Sequence, residues 1–416
     1  MTDPFPKTIK VDVSFYDKRE EQKLLKYPSA NEIRKIVSNP VEILSAEFLT
    51  YFLFNRKRAN PTVYRNYWQM QQYLKVALNE MLGFLDFNAQ SISLAPTLDQ
   101  PRRTISEYVG ESIGLSIISR VHGLTEADWI PIPEGNRRTF DYEIASTGNQ
   151  IVQVEAKGTS IEDNRIQSQN VLSQKSRLDA KKADLMSLVA EGKDPHPASI
   201  RYGTIAAIDS RRDGMVKCWL TDPYPDPIKE TPERMRLLSR LKFLRDWISF
   251  ISPRSQFSSS LNTRLGCIEK IKDPNELDNS PLRRLNGELY SFAPMFAFGQ
   301  EFSFFSNKSR IVNGSAGGIT LRLSPNELFF LGLREDVVML AAKQNFEAIV
   351  TMKFPVTTED KEVECVFSTN RYKELGPIIP ESLPKDKSKQ YIKFKLKGQL
   401  HFSASGLVFG ILPIPQ

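Results

Sequence analysis

Cysteine and histidine are scarce, with three of each in 416 residues. Cys218, Cys267 and Cys365 lie far apart and make no CxxC, which argues against a cysteine zinc site or a disulfide framework and fits a reducing cytosol. His122, His196 and His401 are equally dispersed, so a histidine-based metal centre is not expected. No run approaches 18 uninterrupted apolar residues, which leaves no candidate membrane span. The start, MTDPFPKTIK, lacks the apolar core of a signal peptide, so a cytoplasmic protein is expected. The one glycine-rich stretch, NGSAGG, lacks the Lys-Ser/Thr of a phosphate-binding loop.

What remains is an ordinary globular composition, 40% hydrophobic and 25% charged. The net charge of +7 admits a polyanionic partner without demanding one, because 49 acidic residues offset 56 basic ones. The length predicts two or three domains.

Residues 1–100 read as a mostly helical N-terminal region, on the helical spacing of Leu44, Phe48, Tyr51 and Phe52 and of Tyr64, Trp68, Gln71 and Leu78. Prolines at 96 and 101 precede an α/β unit over 101–228. A capping box, Thr104 and Glu107, predicts a helix that buries Ile105, Val109, Ile113 and Ile117 and carries Glu111. Strands are expected near 129–132, over 138–144 and over 151–157, then a helix over about 165–189 and strands over 202–208 and 216–220. A helical and loop linker follows over 229–300, with a basic helix at 232–251 whose arginines and lysines read as a solvated face, in preference to a phosphate-contacting one. Residues 255–263 and 306–318 read as loops. An α+β C-terminal region over 301–416 completes the chain, with a helix starting at Ser324, Pro325 and Glu327.

Chemistry concentrates between Glu111 and Lys157. An E-x-K triplet is common by chance, and Glu21–Lys23 and Glu359–Lys361 are further examples. The first reads as part of a charged helix and the second as a polar turn. Strand geometry separates Glu155–Lys157 from both. Side chains alternate along a strand, so Gln153, Glu155 and Lys157 share one face, as do Thr139, Asp141 and Glu143 on the preceding strand. STGN at 146–149 predicts a turn between them. A short loop centred on Gly148 sets Phe140 opposite Ala156, Tyr142 opposite Val154, Ile144 opposite Val152, and Asp141 opposite Glu155. Directly opposed Cβ atoms lie about 4.5–5.5 Å apart, close enough for two carboxylates to share a cation that offsets their repulsion. Asp141, Glu155 and the carbonyl of Ala156 would suit Mg²⁺, with Mn²⁺ as a substitute, and Lys157 would act on metal-bound water or on phosphate charge. The competing reading is an exposed hairpin carrying an ordinary Glu–Lys pair. Gln167, Gln174 and Lys181, spaced by seven on the next helix, are candidates for substrate contact or an exposed polar stripe.

A helix glutamate, then FD at 140–141, then EAK at 155–157 resembles the PD-(D/E)xK nuclease superfamily over roughly residues 104–222. The resemblance implies a restriction-endonuclease-like core, a mixed sheet flanked by helices, and Mg²⁺-dependent hydrolysis of DNA phosphodiesters. It matches Asp141 and Glu155 to metal ligands, Lys157 to the catalytic lysine and Glu111 to the helix acid, for which Glu107 is a rival. Phe140 stands where the family's name has proline. With nearly 300 residues outside the core, a restriction or anti-phage defence role is expected, with a homodimer or a defence-system partner. An RNA-directed nuclease, or a non-catalytic nucleic-acid-binding or assembly subunit that keeps the fold, are the alternatives.

Overall fold

The structure is a computed structural model that describes residues 5–54, 67–88, 90–95, 103–132, 143–161, 168–194, 196–209, 215–222, 232–252, 255–271, 276–290, 307–312, 314–368 and 391–415. Two compact units emerge, one built from 1–57 and 76–239 and the other from 58–75 and 240–416. Among the described residues no helix is long and apolar enough to cross a membrane.

In the first unit the chain runs β1 (Thr8–Phe15), α1 (Lys18–Leu24), α2 (Ala30–Ser38), β2 (Val41–Leu44) and α3 (Ser45–Phe54). The helix α4 (Tyr67–Phe84), in which the two units divide, leads to a small hairpin of β3 (Leu85–Phe87) and β4 (Ile92–Leu94). Then come α5 (Arg103–His122), β5 (Ile130–Pro131), β6 (Glu143–Ser146), β7 (Ile151–Ile161), α6 (Gln169–Ala190), β8 (Ile200–Asp209) and β9 (Val216–Thr221). Seven of these strands form a mixed sheet in the order β2-β1-β9-β8-β7-β6-β5, with β1–β9 and β7–β8 parallel.

The described part of the N-terminal region is mostly helical, as expected, but it also supplies two strands, β1 and β2, to the sheet. TIKVDVSF alternates, burying Ile9, Val11 and Val13, and pairs in parallel with β9 about 200 residues later in the chain. The α/β unit does match expectation as a mixed sheet flanked by helices. On one face α5 buries Ile105, Val109, Ile113 and Ile117, starting at Arg103, one residue before Thr104. Its approach to β7 depends on glycine: a Cβ on Gly110 would lie 2.3 Å from Gly158 Cα. On the other face α6 packs Val171 and Leu178 against Ile161, Ile205, Ala207 and Trp219. With both faces covered, β7 and β8 are buried almost throughout, as a central parallel pair requires.

The β6–β7 register differs from expectation by one residue. Ile144 pairs with Gln153 and Ala145 with Val152, rather than Ile144 with Val152. The loop has two central residues, Gly148 and Asn149, closed by Thr147 N–H donating to Gln150 O at 2.9 Å, and Gly148 takes φ +97°. Glycine first at positive φ suits a two-residue hairpin turn, and one residue of slip exchanges faces. The adopted register brings Ile144 and Ile151 into one apolar cluster with Ile132 and Ala198. The expected pairing of Ile144 with Val152 is thus not adopted, while the expected pairs of Phe140 and Asp141 fall on residues outside those described.

The helix α7 (Pro232–Ile251) holds its expected bounds, but its cations are largely committed internally. Arg236 bonds Asp128 and the Thr147 carbonyl, while fully buried Arg240 donates to the carbonyls of Ile349 and Met352, both at 2.8 Å. Next, α8 (Gln256–Lys270) replaces an expected loop, because Ser255 caps it by accepting from Ser258 N–H and Phe257, Leu261, Leu265 and Ile268 bury one stripe.

The second unit is a closed barrel, β10 (Asn307–Ile311), β11 (Ala316–Ser324), β12 (Glu327–Arg334), β13 (Thr357–Ser368), β14 (Tyr391–Phe402) and β15 (Leu407–Pro413), in the order β10-β11-β12-β15-β14-β13. Closure leaves no strand edge and encloses Phe330, Val363, Leu396, Leu400 and Leu412. The expected loop at 306–318 is the β10–β11 hairpin. The expected helix at Ser324 is the β11–β12 turn, in which Ser324 Oγ donates to Glu327 Oε2 at 3.1 Å. The signature S-x-x-E serves either geometry, and the apolar run LFFLGL after it decides for a strand. Between β12 and β13 lie the helices α9 (Glu335–Lys343) and α10 (Phe346–Thr351). Glu359 and Lys361 lie on β13, not in a turn.

Candidate active site

Glu155 and Lys157 sit two apart on β7, on the face that α6 covers. Their row runs straight across the sheet, Glu155 beside Gly203 and Gly203 beside Thr221. The helix α6 starts from Ser168, whose side chain accepts from Val171 N–H, and buries a stripe of Val171, Leu178 and Leu185. Lys181 and Gln174 flank that stripe. Lys181 Nζ meets Glu155 Oε1 at 2.9 Å, and Lys157 Nζ meets the same oxygen at 2.7 Å.

Glu155 is 0% exposed, while the two lysines keep part of their surface. Burial drives its carboxyl above the ordinary range, against the pull of Lys157 and Lys181. Both ammoniums lie on Oε1. Oε2 is buried and has no hydrogen-bond partner among the described residues. An ionised carboxylate oxygen left bare in a dry interior is costly, and it is the natural place for a further cation.

The remaining candidates distribute as follows. Ala156 faces α5, where a Cβ on Gly114 would come within 3.1 Å of the Ala156 Cβ. Glu111 and Glu107 ride on α5, which packs on the opposite face of β7 from Glu155 and Lys157. Gln174 is half-buried, and its Oε1 is buried without a hydrogen-bond partner among the described residues. Asp141 and Gln167 lie outside the described residues. Sequence spacing singled out Lys181 as a substrate contact but not as a partner of Glu155.

A neighbouring polar network escaped the sequence reading altogether. Tyr27 donates to Asp222 Oδ1 at 2.5 Å, Glu20 Oε2 accepts from Asp222 N–H at 2.8 Å, and Lys182, next after Lys181, donates to the Asp222 carbonyl at 3.1 Å. Burial raises the Asp222 carboxyl. Tyr202 bonds Ser29 and His122, each at 2.9 Å, and burial lowers His122 to about 4, so it is neutral at pH 7. These residues come from α1, the turn between α1 and α2, α5, α6, β8 and the residue after β9, so no local motif announces them. The network ties the helices to the sheet beside Glu155.

The expected Mg²⁺ fits this site in one respect, the bare buried oxygen of Glu155. Among the described residues no group of three or more His, Cys, Asp and Glu could hold a metal ion. No family model, curated protein or solved structure matches this chain.

Proposed function

We propose that the chain is a divalent-cation-dependent phosphodiesterase of the PD-(D/E)xK kind, acting on DNA. The observation that carries this reading is Glu155, a fully buried carboxylate with one bare oxygen and a lysine two residues on along the same strand face. The two lysines compensate one oxygen only, and leaving the other oxygen of a buried carboxylate unsatisfied costs stability. Pre-organised charge of this sort is what stabilises an anionic transition state.

In this reading Glu155, the Ala156 carbonyl and Asp141 would hold the cation, for which Mg²⁺ is the expected occupant and Mn²⁺ a substitute. When bound, the ion supplies charge stabilisation and an acidified water. Lys157 orients the attacking water and balances negative charge growing on the phosphate. Gln174, with Gln167 and Lys181, would complete the substrate contacts, while Glu111 rides on the helix across β7 and stands outside this set. Burial beneath α6 keeps water from screening the charge of Glu155. A restriction or anti-phage role belongs to the same proposal, with the barrel unit as the module that reads a target or a trigger, and a homodimer supplies two sites for two strands.

The test is Mg²⁺-dependent nicking or degradation of plasmid DNA, run beside an RNA of similar length, with Asp141→Ala, Glu155→Ala and Lys157→Ala as controls. Loss of cleavage in all three variants is expected. Full activity in Glu155→Ala ends the site assignment.

One observation favours a second reading, a non-catalytic nucleic-acid-binding subunit: two ammoniums already meet Glu155, so its charge is compensated without a metal. That reading predicts salt-sensitive DNA binding and no cleavage with Mg²⁺ or Mn²⁺.

A further inference from the structure

Three charged side chains meet at one atom. Lys157 and Lys181 converge on Oε1 of Glu155, and Oε2 beside it has no partner among the described residues. The two lysines are held differently. Lys157 stands on the strand that carries Glu155, whereas Lys181 comes from α6, a separate element docked on the sheet. A divalent cation arriving at Oε2 would therefore come beside two ammoniums that already contact the same carboxylate.

We propose that Lys181 is a positioning residue that acts as a competing counter-ion for Glu155, turning its Oε1 toward the helix and setting how readily the carboxylate accepts a divalent cation. This inference rests on the reading of Glu155 as a cation ligand. A fixed like charge a few ångströms from the incoming ion weakens its binding, strongly so where water does not screen it. Removing that charge therefore tightens cation binding while the carboxylate stays in place, held by Lys157. A lysine that only braced α6 against the sheet would have the opposite effect, because its loss would loosen the carboxylate. An arginine keeps the charge and the hydrogen bond, so charge and shape separate cleanly.

The experiment titrates Mn²⁺ alone into the full chain, following the free-ion electron paramagnetic resonance signal. Wild type, Lys181→Met, Lys181→Gln, Lys181→Arg and Glu155→Gln are compared. The two neutral variants are expected to bind Mn²⁺ about tenfold more tightly than wild type, and Lys181→Arg to stay within about threefold of it. Unchanged or weaker affinity in both neutral variants overturns the proposal, while loss of binding in Glu155→Gln would still uphold the site. Wild-type affinity in Glu155→Gln removes the site reading, and this proposal with it.

Discussion

Two E-x-K triplets on strands can be compared within this chain. Glu155–Lys157 lies on β7 of the mixed sheet and Glu359–Lys361 on β13 of the barrel, and each closes a 2.7 Å ion pair between positions i and i+2. Motif, strand setting and pairing distance are the same. Surroundings are not. Glu155 is 0% exposed and Glu359 43%. Burial raises the carboxyl of Glu155, whereas hydrogen bonds from Lys361 and Thr357 lower that of Glu359. Glu155 has a second lysine and a bare oxygen, while Glu359 faces solvent on a barrel wall. A motif therefore acquires chemical potential from the layers around its strand: β7 lies between α5 and α6, and β13 has a packed interior on one side only.

The largest separation between the two triplets is expected in stability. Replacing both Lys157 and Lys181 by Met leaves a buried carboxylate without a cation, and should cost about 3–5 kcal/mol. That loss should exceed the sum of the single substitutions by about 1–3 kcal/mol, since either lysine partly covers for the other. Lys361→Met removes an exposed pair and should change stability by less than about 0.5 kcal/mol. Urea denaturation of the four variants checks this. Equal costs at the two triplets would break the comparison.

A smaller effect, opposite in sign at the two sites, is expected with pH. The folded state holds the Glu155 proton more tightly than an unfolded chain with a carboxyl near 4.5. Stability from this group is therefore full below 4.5 and declines as pH rises from there to the raised folded value. Glu359 runs the other way: its contribution is present above 4.5 and is lost as pH falls through its lowered folded value. Subtracting the Glu155→Gln and Glu359→Gln stability profiles from wild type should give slopes of opposite sign. Matching signs would contradict the burial argument.

Much of the first unit was legible because its signals are local. The stripe of Ile105, Val109, Ile113 and Ile117, the VQVEAKG strand and the bounds of α7 follow from periodicity within one element. What escaped depends on distant residues or on a single residue of phase. β1 alternates clearly, but joining β9 is a long-range event that the local pattern does not name. The β6–β7 register turned on whether the loop had one central residue or two, and the choice fell to packing of Ile144 with Ile151. At Ser324 and Glu359 the same residue types serve turn, helix or strand, and barrel closure decided. Within the candidate site, Glu155 and Lys157 were readable from alternation. The meeting of Lys181 with Glu155 required α6 to dock on the sheet.

The most direct measurement is plasmid cleavage in Mg²⁺ by Glu155→Ala and Glu359→Ala side by side with wild type. The account predicts cleavage reduced by about a thousandfold in Glu155→Ala and within about twofold of wild type in Glu359→Ala. Equal activity of the two variants, whether both active or both inactive, would contradict it.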